Sequence, residues 1–256
     1  MTRSWRLKLT RAIEHLYSLQ VAVERWAQTD PCVFVSQAEI KTRKHGIYVN
    51  ILHQPTDSAI PLLIGDCAHN ARQCLDHLAY QLAIFVSKTD PPPNEDTSEF
   101  PIMGKDRHQF DSALAQKIAP KKTIPSNLYT LLERLQPYNG GETEALAILH
   151  RLDNTDKHRF PPIVAGIGNI PRFNIGHLSV SQIEGPRVGA IEHGAPVIEF
   201  TPMPGSPVNM DFQFAPSIAF DKRSPVAAGQ PVLPVLDGIL GLIARSLPEF
   251  EAILSA

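Results

Sequence analysis

The sequence predicts an α+β protein that is mainly a helical bundle, with a small N-terminal β-hairpin and an antiparallel β subdomain inserted before the last helix. Three patterns support this prediction. Apolar residues recur at three- and four-residue spacing in four long segments, which is typical of amphipathic helices. Residues 161–235 contain twelve of the 23 prolines, scattered among β-like runs. Within that region, residues 208–214 alternate strictly between apolar and polar side chains, as a half-buried strand does.

The helices are located by their apolar spacing and by the prolines at their ends. Pro31 stops the first helix, because the residue before a proline avoids helical geometry. Pro61 suits the first turn of the second helix, where its missing N–H costs nothing. We expect helices at residues 3–26, 61–87, 107–117, 126–135, 142–159 and 232–254.

The β-like runs fall in two places. Residues 32–35 and 47–52, joined by a polar turn, predict the hairpin. Further strands are expected at residues 178–183, 195–201 and 208–214. The predicted domain organisation is therefore a helical bundle with its hairpin at residues 1–160, a β-rich subdomain at residues 161–230, and a C-terminal helix at residues 231–256 that returns to the bundle.

The charge balance limits the classes of partner. The formal net charge is −2, from 24 basic and 26 acidic side chains. Such a chain has no bulk attraction to nucleic acid or to acidic membranes, so any phosphate binding must be a local arrangement. No stretch approaches 18 apolar residues, and the N-terminus lacks the apolar core of a signal peptide. We therefore expect a cytoplasmic protein without membrane association.

The helix predicted at residues 61–87 carries an unusual polar face. At about 100° per residue, one side of it holds Asp66, His69, Asn70, Gln73, Asp76 and His77, with Arg72 at the edge. Solvated helix faces usually carry Lys and Glu, whereas these shorter groups suit a fixed hydrogen-bond network. The pattern indicates a binding or catalytic face, and a plain solvated face is the alternative.

The helix predicted at residues 142–159 places two charges on its apolar side. Asp156 and Arg159 fall within the stripe defined by Ile148, Leu149 and Leu152. A charge on a buried side is costly unless it is paired and hydrogen-bonded. We therefore expect both residues to be buried and to pair with each other or with polar groups of the helix at residues 61–87. A purely structural ion pair would look the same in the sequence.

Two segments of the chain carry a family resemblance. Residues 65–78 (GDCAHNARQCLDHL) and residues 152–159 (LDNTDKHR) resemble the paired signatures of an uncharacterised bacterial protein family. The resemblance covers roughly residues 5–165 and includes the motifs at residues 100–102 (FPI) and 135–138 (LQPY). It implies no particular function.

A second resemblance does imply a function. Arg72 and His77, with four residues between them, resemble the Arg…His motif of HEPN-type helical proteins, many of which are metal-independent RNases that act as dimers. This resemblance implies that RNA is cleaved by its own 2′-hydroxyl. His77 would act as general acid or base, and Arg72 would bind the scissile phosphate. The resemblance implies an RNA substrate, a homodimer, and neither a cofactor nor a metal.

Other polar residues would support this pair. Asn70 and Asp76 could orient His77, and Lys157 or Arg159 could contact phosphate. The remaining supporting candidates are Asp66, His69, Asp156 and His158.

Two other functions stay open from the residues alone. Asp66, His69 and His77, together with His150, Asp153 or His158, offer nitrogen and oxygen ligands for a metal ion between bundle helices, although no HExxH pair occurs. Alternatively, the polar network only holds the helices in register. The chain would then be a non-catalytic interaction module whose β subdomain binds a protein partner.

Overall fold

The computed structural model describes residues 3–39, 41, 43–57, 59–104, 107–174, 180–206, 208 and 211–255. Within these ranges the chain is α+β, with six α-helices and seven strands in two antiparallel sheets. It is 51% helical and 21% strand, so the expected mainly helical bundle is wrong. Its contacts divide it into a helical unit of residues 1–17, 62–160 and 235–256, and a β unit of residues 18–61 and 161–234.

The hairpin is the reason the fold prediction failed. Strands β1 (Cys32–Ala38) and β2 (His45–Ile51) pair with each other, but β2 also pairs with β6 (Pro196–Pro202). The hairpin is therefore half of a four-stranded sheet and not a small separate element. Strand pairing is set by burial between distant segments, which periodicity within one segment does not report.

The β unit contains two sheets. The first has the strand order β1-β2-β6-β4, with β4 at Val180–Glu184. The second has the order β5-β3-β7, formed by Gly189–Ala190, Ile163–Asn174 and Asp211–Phe220. The strands predicted at residues 178–183 and 208–214 begin partly outside the described residues.

The two sheets share one apolar core. Ile47, Val49, Val197 and Ile198 of the first sheet pack with Ile167 and Phe214 of the second. The ring centroids of Phe34 and Phe214 lie 4.8 Å apart, an aromatic contact between the sheets. The β unit is therefore held together by side chains that the sequence places in four separate strands.

The helical unit contains most of the helical residues. The helices of the described chain are α1 (Ser4–Ala27), α2 (Ala59–Ser87), α3 (Phe110–Lys117), α4 (Ser126–Arg134), α5 (Glu144–Asp156) and α6 (Val232–Leu254). The first and last are joined at their ends, because Arg6 Nε donates to Glu251 Oε1 at 2.6 Å. Among the described residues, no helix combines the length and the apolar character that a bilayer crossing requires.

Helix α5 differs from its prediction at both ends. A 3₁₀ turn at Gly141–Thr143 precedes it, and it ends at Asp156, three residues before the predicted end. Helix α2 agrees with the prediction to within two residues. Helices α2 and α5 are in contact, since His69 of α2 bonds Asp153 of α5.

Candidate functional site

A polar pocket of about 530 Å³ lies within the helical unit, between α2, the end of α5 and the segment at residues 98–100. We call it the α2–α5 pocket. Its volume falls in the range typical of small-molecule sites and is large enough for a nucleotide. Helix α2 contributes His69, Arg72, Asp76 and His77, and the α5 region contributes His150, Asp153, Asn154 and Lys157.

One side of the pocket holds a histidine–carboxylate pair. His69 Nδ1 lies 3.0 Å from Asp153 Oδ1. The Asp153 side chain is only 6% exposed, whereas that of His69 is 49% exposed. Because the carboxylate ties Nδ1, Nε2 is the ring nitrogen left to exchange a proton with a ligand. Lys157 Nζ lies 2.9 Å from the other carboxylate oxygen and adds a positive charge beside the pair.

Arg72 lies in the interior and not at the edge of a solvated face. It is 4% exposed, and its Nη2 lies 2.9 Å from Asp76 Oδ1. The same nitrogen donates to Glu99 Oε2 at 3.2 Å and to the Phe100 carbonyl at 3.0 Å. Asp76 Oδ1 also accepts the Phe100 N–H at 2.9 Å. Arg72 and Asp76 therefore tie the segment at residues 99–100 to α2.

The pKa values of Asp76 and Glu99, the two carboxyl groups beside Arg72, are shifted in opposite directions. Burial raises the pKa of Asp76, although the charge of Arg72 and the Phe100 N–H oppose the shift. Burial also acts to raise the pKa of Glu99. There, the hydrogen bond from Lys117 at 2.6 Å and the positive charges of Lys117 and Arg72 outweigh burial, so the pKa is lowered.

His77 lines the same pocket beside a lysine. Burial lowers the pKa of His77, the charge of Lys8 on α1 lowers it further, and Asp76 opposes them. Lys8 has no ion-pair partner among the described residues. Lys8 carried no signal in the sequence, because a lysine is common on the polar side of an amphipathic helix. Because its charge acts on His77, Lys8 is a candidate phosphate contact.

His150 and Glu99 are further pocket residues that lie outside the predicted RNase site. Burial lowers the pKa of His150, and the charge of Arg72 acts in the same direction. Asn154 Nδ2 lies 3.1 Å from His150 Nε2. Glu99 carried no signal in the sequence, since it lies in a loop far from both motifs.

Several predicted site residues do not line the pocket. Asp66 is exposed, and its carboxylate lies 3.9 Å from His15 Nδ1. Asn70 donates to the Asp66 backbone carbonyl at 2.9 Å, a bond within α2. His158 and Arg159 are exposed, and their side chains have no partner among the described residues.

The expectation that Asp156 and Arg159 are buried and paired is wrong. Asp156 is only partly buried and Arg159 is exposed, because α5 ends at Asp156 and its helical face does not continue. The buried acid of this segment is Asp153. The Asp156 carboxylate contacts Gly65 so closely that a Cβ at position 65 would overlap it. Burial and the charges of Asp66 and Asp153 raise the pKa of Asp156.

The six candidate metal ligands do not come together as a metal-binding group. Among the described residues, which include all six candidate ligands, no group of three or more His, Cys, Asp or Glu side chains is placed to hold a metal ion. We therefore propose no metal site.

Comparison of the chain with protein-family models, with curated proteins and with solved structures gives no match. The two resemblances drawn from the sequence motifs therefore stay predictions, and the functional argument depends on the pocket itself.

Proposed function

We propose that the chain is a cytoplasmic, metal-independent endoribonuclease whose acid–base group is His69. The observation that carries this proposal is the 3.0 Å bond between His69 and the buried Asp153, at the wall of a pocket large enough for a nucleotide. A buried carboxylate on one ring nitrogen fixes the orientation of the imidazole and leaves the other nitrogen to exchange a proton with the substrate, which is the arrangement that general acid–base catalysis requires.

The reaction needs one proton to move twice. His69 Nε2 takes the proton of a 2′-hydroxyl, whose oxygen then bonds the adjacent phosphorus. The bond from phosphorus to the 5′-oxygen breaks, and the imidazolium returns the proton to that oxygen. The products are a 2′,3′-cyclic phosphate and a 5′-hydroxyl. Lys157, on the same carboxylate as His69, would stabilise the added phosphate charge.

His77, Lys8 and Arg72 would have other roles in binding the RNA. His77 lies further along α2 from His69, since eight residues correspond to about 12 Å of helix, and the charge of Lys8 on α1 acts on His77. They would bind a neighbouring phosphate of the same strand. Arg72 would act as a positioning residue, because its Nη2 already contacts Asp76, Glu99 and Phe100. This assignment moves the acid–base role from His77 to His69.

Cleavage of a labelled single-stranded RNA tests the proposal. The chain should cleave the RNA but not the same sequence with 2′-deoxyribose, and EDTA should have no effect. His69→Ala should lower the rate by about 100-fold or more with little change in the thermal melt. His158→Ala is the matched control, because His158 is exposed and does not line the pocket. It should cleave like the unsubstituted chain.

Other results of the same test would reject the proposal. Cleavage of the deoxy strand would rule out attack by the 2′-hydroxyl, and loss of cleavage with EDTA would indicate a metal enzyme. Sedimentation of the intact chain measures the homodimer that the HEPN resemblance implies.

A second candidate is the non-catalytic interaction module. It is favoured by the contacts of Arg72, which hold a loop against α2 as a purely structural network would. If the chain cleaves no RNA under any condition while it stays folded, this function replaces the first.

A further inference from the structure

The α2–α5 pocket extends along α2 well beyond the His69–Asp153 pair. The α2 residues that line it run from His69 to Gln81. Twelve residues of helix correspond to about 18 Å, and the pair occupies one end of this length. Tyr80 and Gln81 line the other end. The acid–base chemistry proposed above uses neither of them, so a second part of the ligand can bind there.

The two ends of the pocket differ in charge. The end at His69 has the ammonium group of Lys157. Tyr80 instead lies beside acidic groups. Its hydroxyl donates to Glu95 Oε1 at 3.4 Å, and burial and the charges of Glu95 and Asp90 raise its pKa. These carboxylates would repel a phosphate. The end at Tyr80 therefore favours an uncharged part of a ligand.

The ring of Tyr80 is an aromatic surface on the polar side of α2. It follows His77 by three residues and is partly exposed at the pocket wall. Other rings of the helical unit pack against each other, as Phe100 does with Phe250. Among the described residues, the Tyr80 ring belongs to no aromatic pair and no cation–π contact. Such a ring offers its face to a planar, uncharged group.

We propose that Tyr80 is a stacking surface for a nucleobase at the end of the α2–α5 pocket remote from His69. This inference rests on the proposed function, because it takes the ligand to be RNA. Eleven residues separate the two side chains, about 16 Å of helix, which is more than one nucleotide spans. The stacked base therefore belongs to a different nucleotide from the one that is cleaved.

Stacking on Tyr80 also defines the class of RNA. A base in a duplex has both faces covered by its neighbours, so the pocket would bind a single strand. Every base has a π-face, so stacking tolerates any sequence. The side chain of Gln81 has no hydrogen-bond partner among the described residues and is available to the edge of the stacked base.

Binding of a fluorescently labelled deoxythymidine tetranucleotide tests the stacking without cleavage, because this strand has no 2′-hydroxyl. Its bases are replaced one at a time by an abasic residue. At the position that Tyr80 stacks, the replacement should weaken binding about tenfold, the effect of one base–aromatic contact. In Tyr80→Leu the same replacement should have no effect. Tyr80→Phe keeps the ring and should bind like the unsubstituted chain. Tyr17→Leu is the matched control, because Tyr17 is 68% exposed on α1 and does not line the pocket.

Several results would overturn the stacking site. They are no binding of the tetranucleotide, no loss at any abasic position, or a loss that persists in Tyr80→Leu. The abasic series with the unsubstituted chain decides even if Tyr80→Leu does not fold. Equal weakening by Tyr80→Phe and Tyr80→Leu would assign the effect to the hydroxyl and its bond to Glu95, and so would reject the ring as the binding group.

The same measurements distinguish this inference from the proposed function. RNA cleavage without a loss at any abasic position would leave the endoribonuclease standing and remove the stacking site. Base-dependent binding that requires the Tyr80 ring, without RNA cleavage, would keep the stacking site and remove the endoribonuclease.

Discussion

Two polar side chains about one turn apart on α2, Arg72 and His69, have different surroundings. Arg72 is 4% exposed and its Nη2 contacts Asp76, Glu99 and the Phe100 carbonyl. His69, three residues earlier, pairs with a single buried carboxylate and remains 49% exposed. Both residues belong to the polar side that the sequence predicts. The comparison shows that the neighbouring segment decides whether a polar group holds the fold or stays accessible to a ligand.

Removing Arg72 should have the largest effect on stability. Arg72→Met leaves the mostly buried Asp76 without its cation, and loss of one partner of a buried pair costs about 3–5 kcal/mol. The free energy of unfolding in urea measures this loss. Arg11→Met is the control, because Arg11 forms an exposed ion pair with Glu14 at 2.9 Å on α1. It should cost less than about 0.5 kcal/mol. Equal losses in the two variants would show that the Arg72 cluster is not structural.

Asp153 should matter more for rate than for substrate binding. Asp153→Asn keeps the shape of the side chain but replaces the carboxylate that orients His69 with an amide, so kcat for RNA cleavage should fall by about 100-fold or more. KM should stay nearly unchanged. The double variant His69→Ala/Asp153→Asn should be no slower than His69→Ala alone, because the two residues act as one unit. Additive losses would indicate that Asp153 acts on something other than His69.

His77 should make stability depend on pH. Its pKa in the folded chain is lowered by burial and by Lys8, so the unfolded chain binds the proton more readily. Stability should therefore fall as the pH drops through the ordinary histidine pKa of about 6.5. Lys8→Gln should move the pKa of His77 upwards in an NMR titration and weaken this pH dependence. If Lys8→Gln does not change the pKa of His77, then the charge of Lys8 does not act on His77.

Substitution of Asp156 should have the smallest effect on stability. Its pKa is raised, so its effect on the pH dependence of stability is opposite to that of an acid whose pKa is lowered. Burial, Asp66 and Asp153 raise its pKa, so its contribution to stability is present below the ordinary Asp pKa and is lost as the pH rises through the raised value. Asp156→Asn should therefore stabilise the chain at neutral pH by less than about 1 kcal/mol, and the gain should vanish in acid. Asp237→Asn, at an exposed position of α6, should show no such gain. Destabilisation by Asp156→Asn at neutral pH would contradict this account.

Helix positions were the most predictable part of the fold. The apolar spacing of residues 232–254 predicts α6 with its observed bounds, and Pro61 lies within two residues of the start of α2. Both follow from local periodicity, which depends only on residues within a few turns. The partner of β2 was not predictable in this way, because β6 lies far along the chain and its choice depends on the shared core around Val197 and Phe214.

The candidate site was likewise predictable only where it depends on local periodicity. The sequence by itself determined that the helix at residues 61–87 has one apolar and one polar face, and that His69, Arg72 and His77 lie on or beside the polar one. Only the tertiary structure decided their surroundings. It buries Arg72 under Glu99 and Phe100, makes Asp153 and not Asp156 the buried acid, and brings Lys8 of another helix towards His77. The physical reason is that burial and charge pairing depend on which distant segments cover a residue, and a helix's own periodicity contains no information about them.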